Sequence, residues 1–480
     1  MEKKKLIKPE SPAGFLDFLT PDFLARESAL KIINQVFRSY GYDQIEGPVA
    51  EFLDVLTGED ETSKNIFLLR DNGRTSAEQP MALRFDHTVQ TARILAANPY
   101  NPKTKTGIKL PWRRMVVGPS FRTDTPQNGR YRQFYQFDID ILGTSSMLAD
   151  AEVVSIINET FRALGITSFL IKINNRKILN GLGELIGLQS RPKVALENIL
   201  RAIFRILDKL DKIGLDGVER ELLEAPENEY DPRPNLSPFA VEKIKELISI
   251  SGGNLERLAT AKKIFKGIKT AEEGLAELED IIRLCPGISE VIKVDFTVVR
   301  GLDYYTGPVM ETSLLDAPEF GSVFSGGRYD NLMERFTGQA MPAVGASIGV
   351  DRLFAALKHL GIIKTDRQSA TEVVVLNIDE SLTPLYLQVA KEIREWGFNV
   401  EVCLLEDKTF KSQFNFALNR GADFLIILGA DEAARGVVKL KNLSSREQLE
   451  LSPVGLYHYF QKLVITELAK KLTEGVKHEN

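Results

Sequence analysis

Hydrophobic positions change period several times along the chain, and each change marks an element. Leu30, Ile33 and Phe37 recur at helical spacing, which predicts an amphipathic helix over 21–40. Pro21 suits its first turn, Thr20 can cap it and Gly41 stops it. Tyr42 to Val49 reads as extended, with Pro48 where an edge strand tolerates it. Short strands are expected at 65–70 and 80–86, then a helix at 88–97. Strands at 114–120 and 131–142 flank a Pro-, Asn- and Gly-bearing connection at 123–129, a long hairpin. A helix follows at 150–164. From about 178 to 288, Leu, Ile, Lys and Glu dominate at helical spacing and β-rich runs are scarce. That is the pattern of a helical insertion between two parts of a sheet domain. Strand character returns at 293–300, 307–314 and 342–349, before a helix at 351–360.

Residues 364–371 are polar and aperiodic, as in a linker. Beyond them strands at 372–376, 399–404 and 424–428 alternate with helices at 384–396 and 411–420. Such alternation predicts a smaller, separate α/β domain with a largely parallel sheet.

Composition changes this picture little. A chain of 480 residues suits two or three domains. A hydrophobic share of 43% and a charged share of 26% are ordinary for a soluble globular protein. Cys285 and Cys403 are the only cysteines, which argues against a disulfide framework and for a reducing, cytoplasmic setting. The four histidines show no ligand spacing with them, so no metal centre is expected. Met1 to Lys5 is not followed by the apolar core of a signal peptide, and no run of about 18 apolar residues calls for a membrane. The net charge of −5 does not exclude nucleic acid, which responds to local patches. One basic run holds Lys103, Lys105, Lys109, Arg113 and Arg114, and Arg122, Arg130 and Arg132 follow. It reads as a solvated face or a nucleic-acid-facing patch.

Candidate chemistry begins in the strand at 131–142. Alternation puts Phe134, Gln136, Asp138 and Asp140 on one face, and Tyr135, Phe137, Ile139 and Ile141 on the other. The second is a core face. The first holds an aromatic ring, an amide and two carboxylates; it reads as a solvent-exposed sheet face or, as the flanking arginines favour, the floor of a ligand site. Phe134 can stack a base, while Gln136 and Asp140 can bind a polar, partly cationic small molecule. Arg122 and Arg352 suit phosphate, which a guanidinium matches with two hydrogen bonds. Arg300 to Gly307 and Ser325 to Asp330 each pack Gly, Tyr, Arg and Asp into a few residues, as the walls of a small pocket do. No G-x-x-x-x-G-K-[ST] loop exists, nor a G-x-G-x-x-G after a strand. A bound nucleotide would therefore lie on an antiparallel sheet, held by arginines.

On these residues the chain resembles a class II aminoacyl-tRNA synthetase, and within that class the histidyl-tRNA synthetase family. The helix and strand ending in Pro48 resemble motif 1, which builds a dimer interface. Phe121-Arg122 through Phe134 resembles motif 2, and Gly345 to Arg352 resembles motif 3. Arg300–Tyr305 and Ser325–Asp330 resemble the two histidine-specific signatures of the family. The likeness runs over residues 10–465.

The resemblance implies an α+β catalytic domain on a mostly antiparallel sheet at 1–363, interrupted by the helical insertion. It further implies an anticodon-binding α/β domain at 371–465 and a polar tail at 466–480. Histidine and ATP, with Mg²⁺, would give histidyl-adenylate, and the histidyl group would then pass to tRNA. Arg122 and Arg300 would hold the α-phosphate and act catalytically. Arg130 and Arg352 would hold the outer phosphates or cover the adenine, Phe134 would stack on it, and Asp124 would meet its amino group. Asp86, Thr88 and Gln136 would bind the α-amino group of histidine. Asp140, Tyr304, Tyr305 and Tyr329 would complete the histidine site, chiefly at the imidazole. Gln127 would meet the acceptor end of tRNA.

Three departures from the common bacterial pattern stand out. Asp124 replaces a Glu, Thr125 replaces an Arg that serves the tRNA end, and Asp86 and Asp140 replace Glu, as in the eukaryotic-type branch. The competing expectation is a non-catalytic paralogue, such as the regulatory subunit of ATP phosphoribosyltransferase or a sensor of uncharged tRNA.

Overall fold

The computed structural model describes residues 7–58, 65–70, 80–127, 129–191, 194–299 and 304–476, with the side chains of 211 and 467–476 left aside. The chain forms two compact units. One holds the segment up to Asp17 together with Ala29–Ile363, and the other holds Phe18–Ser28 together with the chain from Lys364.

The larger unit is built on an eight-stranded sheet. Its strands, with two that pair outside it, are β1 (Asp43–Gln44), β2 (Ala50–Phe52), β3 (Met81–Leu83), β4 (Trp112–Phe121), β5 (Gln133–Leu142), β6 (Phe169–Asn175), β7 (Ile292–Val294), β8 (Pro308–Leu314), β9 (Ser322–Arg328) and β10 (Ala343–Gly349). The order is β1-β4-β5-β10-β9-β8-β6-β7, and β2 pairs with β3 alone. Only the two outermost pairings are parallel, so the sheet is mostly antiparallel, as expected. The core face of β5 also matches: Phe137, Ile139 and Ile141 are buried. Phe137 meets Phe37 of helix Thr20–Ser39 edge-on, with ring centroids 4.8 Å apart.

Several expected strands are shorter than their hydrophobic runs suggest, and 65–70 holds only an isolated bridge from Leu68 to Ala82. The strand at 42–49 pairs only at Asp43–Gln44. Arg84 donates to the carbonyls of Gly47 and Pro48, which removes them from any ladder. The strand at 293–300 ends at Val294, because the Asp295 carboxylate accepts from the backbone N and hydroxyl of Thr297 and turns the chain. Strand β9 was not expected, since Gly326-Gly327 breaks its alternation. Those glycines permit close packing: a Cβ on Gly327 would stand 2.9 Å from the Tyr305 ring.

Between β6 and β7 lie helices Arg176–Leu185, Leu196–Leu207, Leu210–Leu223, Pro238–Ile248, Asn254–Ile264 and Lys269–Leu284. Ser237 accepts from Ala240 N at the start of the fourth, which also carries Pro at its first turn.

The smaller unit has strands β11 (Val373–Val375), β12 (Val400–Val402), β13 (Phe424–Ile427), β14 (Val438–Asn442) and β15 (Gln448–Leu451), in the order β12-β11-β13-β14-β15. The first three are parallel, and β14 and β15 form an antiparallel extension that the alternation did not reveal. Val373 and Val375 join one apolar cluster, Val374 and Leu376 another, so both faces of the sheet are covered. Helix Pro453–Val476 runs on into the segment expected as a polar tail, whose residues 477–480 lie outside the described residues.

Candidate active site

The open face of β5 forms the floor of a cavity of about 690 Å³. Its rim includes Asp86 and Thr88 from the start of helix Thr88–Ala97, Tyr304 and Tyr305 before β8, Tyr329 after β9, and Arg352 in helix Val350–His359. Chain segments more than 200 residues apart therefore meet because antiparallel pairing sets β5 against β4 and β10.

At one end the wall is tyrosine and carboxylate. Tyr329 Oη donates to Asp140 Oδ1 at 2.5 Å. Arg114 Nη2 pairs with Asp140 Oδ2, directly across the β4–β5 register. Both partners are almost wholly buried. The Tyr304 ring meets Tyr305 at 5.0 Å and Tyr329 at 5.6 Å, edge-on in each case. Burial pushes all three hydroxyls up, so they stay protonated donors. Gly345 faces Asp140 in the β5–β10 register, and a Cβ there would overlap the carboxylate.

Three buried carboxylates share this end of the cavity. Burial raises Asp86, against the pull of Arg122. It raises Asp138 to about 7 and Asp140 to about 6, with Arg114 the main opposing influence on both. Gln136 Oε1 and Asp86 Oδ2 are buried and find no hydrogen-bond partner among the described residues. Acceptors left in that condition suit a ligand that brings N–H donors and positive charge. His87, next to Asp86, is held neutral: burial, then Arg84 and Arg114, lower it to about 3.

The other end is arginine and aromatic. The Arg122 guanidinium lies 5.2 Å from the Phe134 ring centroid, and its Nε donates to Phe85 O at 3.1 Å. Arg130 binds Asp124 Oδ2 through Nε at 3.1 Å and Nη2 at 2.5 Å. Asn65 Nδ2 donates to the other Asp124 oxygen. Arg352 Nη1 donates to Ser322 O at 2.7 Å, and Asp351 Oδ2 accepts from Tyr135 N at 2.7 Å, which ties this helix to β5.

Of the residues singled out in the sequence, Asp86, Thr88, Arg122, Asp124, Arg130, Phe134, Gln136, Asp140, Tyr304, Tyr305, Tyr329 and Arg352 line this one cavity. Gln127 does not; it sits in a tight turn with Arg130 at the hairpin tip, exposed. Arg300 lies outside the described residues. The basic run divides. Lys103, Lys105 and Lys109 are exposed, but Arg113 pairs with Glu152 and Arg114 is buried in the site, so those two form no surface patch. Arg328, in the Ser325–Asp330 segment, turns away and pairs with buried Asp150.

Sequence reasoning missed Arg114, Ser347, Arg176, Arg201 and Arg205, which depend on register or on the insertion. Arg201 and Arg205 were readable as one face of helix Leu196–Leu207, four residues apart. Among the described residues, no group of three or more His, Cys, Asp or Glu is arranged to hold a metal ion. No helix of the described chain is long and apolar enough to cross a membrane.

Known proteins share this architecture. A family model described as histidyl-tRNA synthetase matches residues 14–353, and one described as anticodon binding domain matches 372–463. A histidine–tRNA ligase of Rhodopirellula baltica is 37% identical over 452 residues, covering 93% of this chain and 96% of that one. Another, of a Jannaschia species, is 35% identical over 466 residues, covering 92% and 91%. The crystal structure of histidyl-tRNA synthetase from Nostoc sp. PCC 7120 matches with a TM-score of 0.79 at 32% identity, covering 95% of this chain and all of that one.

Proposed function

Because the chain belongs to the histidyl-tRNA synthetase family, we infer that it is a histidine–tRNA ligase, which uses ATP to join histidine to tRNA. The observation that carries the reading is the two-ended cavity: carboxylates and tyrosines at one end, arginines and Phe134 at the other.

In the first step a histidine carboxylate oxygen attacks the α-phosphorus of ATP. The bond to the β-phosphate oxygen breaks, pyrophosphate leaves and histidyl-adenylate forms. In the second, a hydroxyl of the terminal adenosine of tRNA attacks the activated carbonyl and AMP leaves. Neither step requires a covalent bond to the enzyme, so positioning and charge stabilisation do the catalysis.

We assign the roles as follows. Arg122 and Arg300 hold the α-phosphate as its charge develops. Arg130 and Arg352 hold the outer phosphates or cover the adenine, Phe134 stacks on the base, and Asp124 accepts from its amino group. Since Asp124 is occupied by Arg130 here, nucleotide entry requires that pair to open or to share the carboxylate. Asp86, Thr88 and Gln136 receive the ammonium group. Asp140, held by Tyr329 and Arg114, accepts from one imidazole nitrogen, and Tyr304 and Tyr305 frame the ring. A site that pairs both polar ends rejects apolar analogues of similar size.

Mg²⁺ fits as part of the nucleotide. It would sit on the phosphates and neutralise their charge. Residues 371–465 bind the anticodon, and Gln127, exposed at the hairpin tip, faces the acceptor end. The chain pairs as a homodimer through the region of helix Thr20–Ser39 and Pro48, where Ile32, Val49 and Phe52 are exposed. It works in the cytoplasm. The regulatory and sensor alternative is not favoured, because matches to ligases extend over nearly the whole chain. Transfer of labelled histidine to tRNA, dependent on ATP, tests the reading.

A further inference from the structure

Two cavity side chains have no role in the account above, and they form one hydrogen-bond chain with Gln136. Strands β5 and β10 set Ser347 opposite Asp138. The Ser347 hydroxyl donates to Asp138 Oδ1. Gln136 Nε2 donates to Ser347 Oγ at 2.8 Å. All three side chains line the cavity.

The polarity of this chain follows from counting protons. An ionised carboxylate only accepts, and a hydroxyl carries one proton. With Asp138 ionised, Ser347 spends its proton on Asp138 and can only accept from Gln136. The amide must then turn its NH₂ to Ser347 and its oxygen away. That oxygen, Oε1, is the buried acceptor with no partner among the described residues, and Asp86 Oδ2 is in the same condition.

We propose that Asp138 and Ser347 are positioning residues that lock the Gln136 amide with its oxygen toward the cavity, so that the site selects a ligand carrying an ammonium group. Arg114 favours the ionised form of Asp138 against burial, and Arg84 adds to that field. Without the relay the amide is free to rotate, and half of its orientations would set an NH₂ against the ligand's ammonium. The inference rests on Gln136 receiving the α-amino group.

The test uses the full chain at pH 8, in histidine-dependent exchange of pyrophosphate into ATP. Imidazole-propionic acid, which is histidine without its amino group, serves as competing inhibitor. Ser347→Ala and Asp138→Asn should raise KM for histidine ~10-fold, the effect of losing one hydrogen bond to a charged group. The inhibition constant of the des-amino analogue should stay within about twofold, so discrimination falls ~10-fold. Ser347→Thr, which keeps the hydroxyl, should restore it. Gln136→Ala should show the same loss, with Ser347→Ala adding nothing in that background. Equal losses for both ligands, or additive losses with Gln136→Ala, would overturn the relay. If Gln136→Ala alone leaves discrimination intact, the amino-group assignment fails, and the relay with it.

Discussion

The hydroxyl of Tyr329 donates to Oδ1 of Asp140 over 2.5 Å, in a place closed to solvent, while Arg114 takes the other oxygen. The carboxylate is thus fixed from two sides, with its remaining lone pairs for a ligand. Tyr329→Phe removes one fixture. Histidine affinity should fall ~10-fold, since the bond is to an ionised group, and ATP affinity should hold. Titration calorimetry with each ligand separately checks this.

The same contact predicts a pH effect. Asp138 and Asp140 rise to about 7 and about 6, chiefly through burial. As pH falls through that window both take up protons, and the site loses the charge that attracts an ammonium. KM for histidine should therefore climb as pH drops from 8 to about 5.5, beyond the change due to histidine's own titration. Loss of the Tyr329 bond, which pulls Asp140 down, should move the rise to higher pH.

Stability should respond with the opposite sign. A carboxyl whose folded value lies above its unfolded value binds protons more tightly when folded. Its stabilising contribution is complete below the unfolded value and is lost as pH rises through the folded one. Without ligands, resistance to urea should thus decline from pH 6 to pH 8. Asp138→Asn should flatten that decline, as unfolding midpoints at the two pH values would record. His87, lowered to about 3, acts the other way, but its contribution is lost only as pH falls below about 6.5.

Gly345→Ala tests the register. The added Cβ would overlap the Asp140 carboxylate, and overpacking of this kind costs roughly 1–3 kcal/mol. Histidine-dependent exchange should drop ~10–100-fold while circular dichroism shows a folded protein. Unchanged exchange would mean that Asp140 has no fixed position to lose.

Much of this was legible in sequence. Alternation in Phe134–Ile141 identified both the floor of the site and the core face behind it, and Gly41 marked the end of the first helix. What stayed hidden was pairing. Arg114 looked like one cation of a surface run, because nothing local shows that β4 sets it across from Asp140. Ser347 was an unremarked residue of a strand until β10 set it beside Asp138. The shortened strand at 42–49 has the same origin: Arg84 withdraws the carbonyls of Gly47 and Pro48 from 37 and 36 residues away.

Arg328 belongs to a signature segment yet supports the fold, paired with fully buried Asp150. Asp150→Ala leaves a buried guanidinium without its counter-charge and should cost about 3–5 kcal/mol of stability, seen in thermal unfolding. At temperatures where the variant stays folded, KM for histidine should match the parent protein.

The central claim is that this cavity activates histidine with ATP. Exchange of labelled pyrophosphate into ATP, followed with and without histidine in the presence of Mg²⁺, tests it most directly. The account predicts exchange that requires histidine and that Asp140→Asn suppresses by raising KM for histidine far more than KM for ATP. Histidine binding with no exchange at saturating histidine and Mg²⁺ would contradict it.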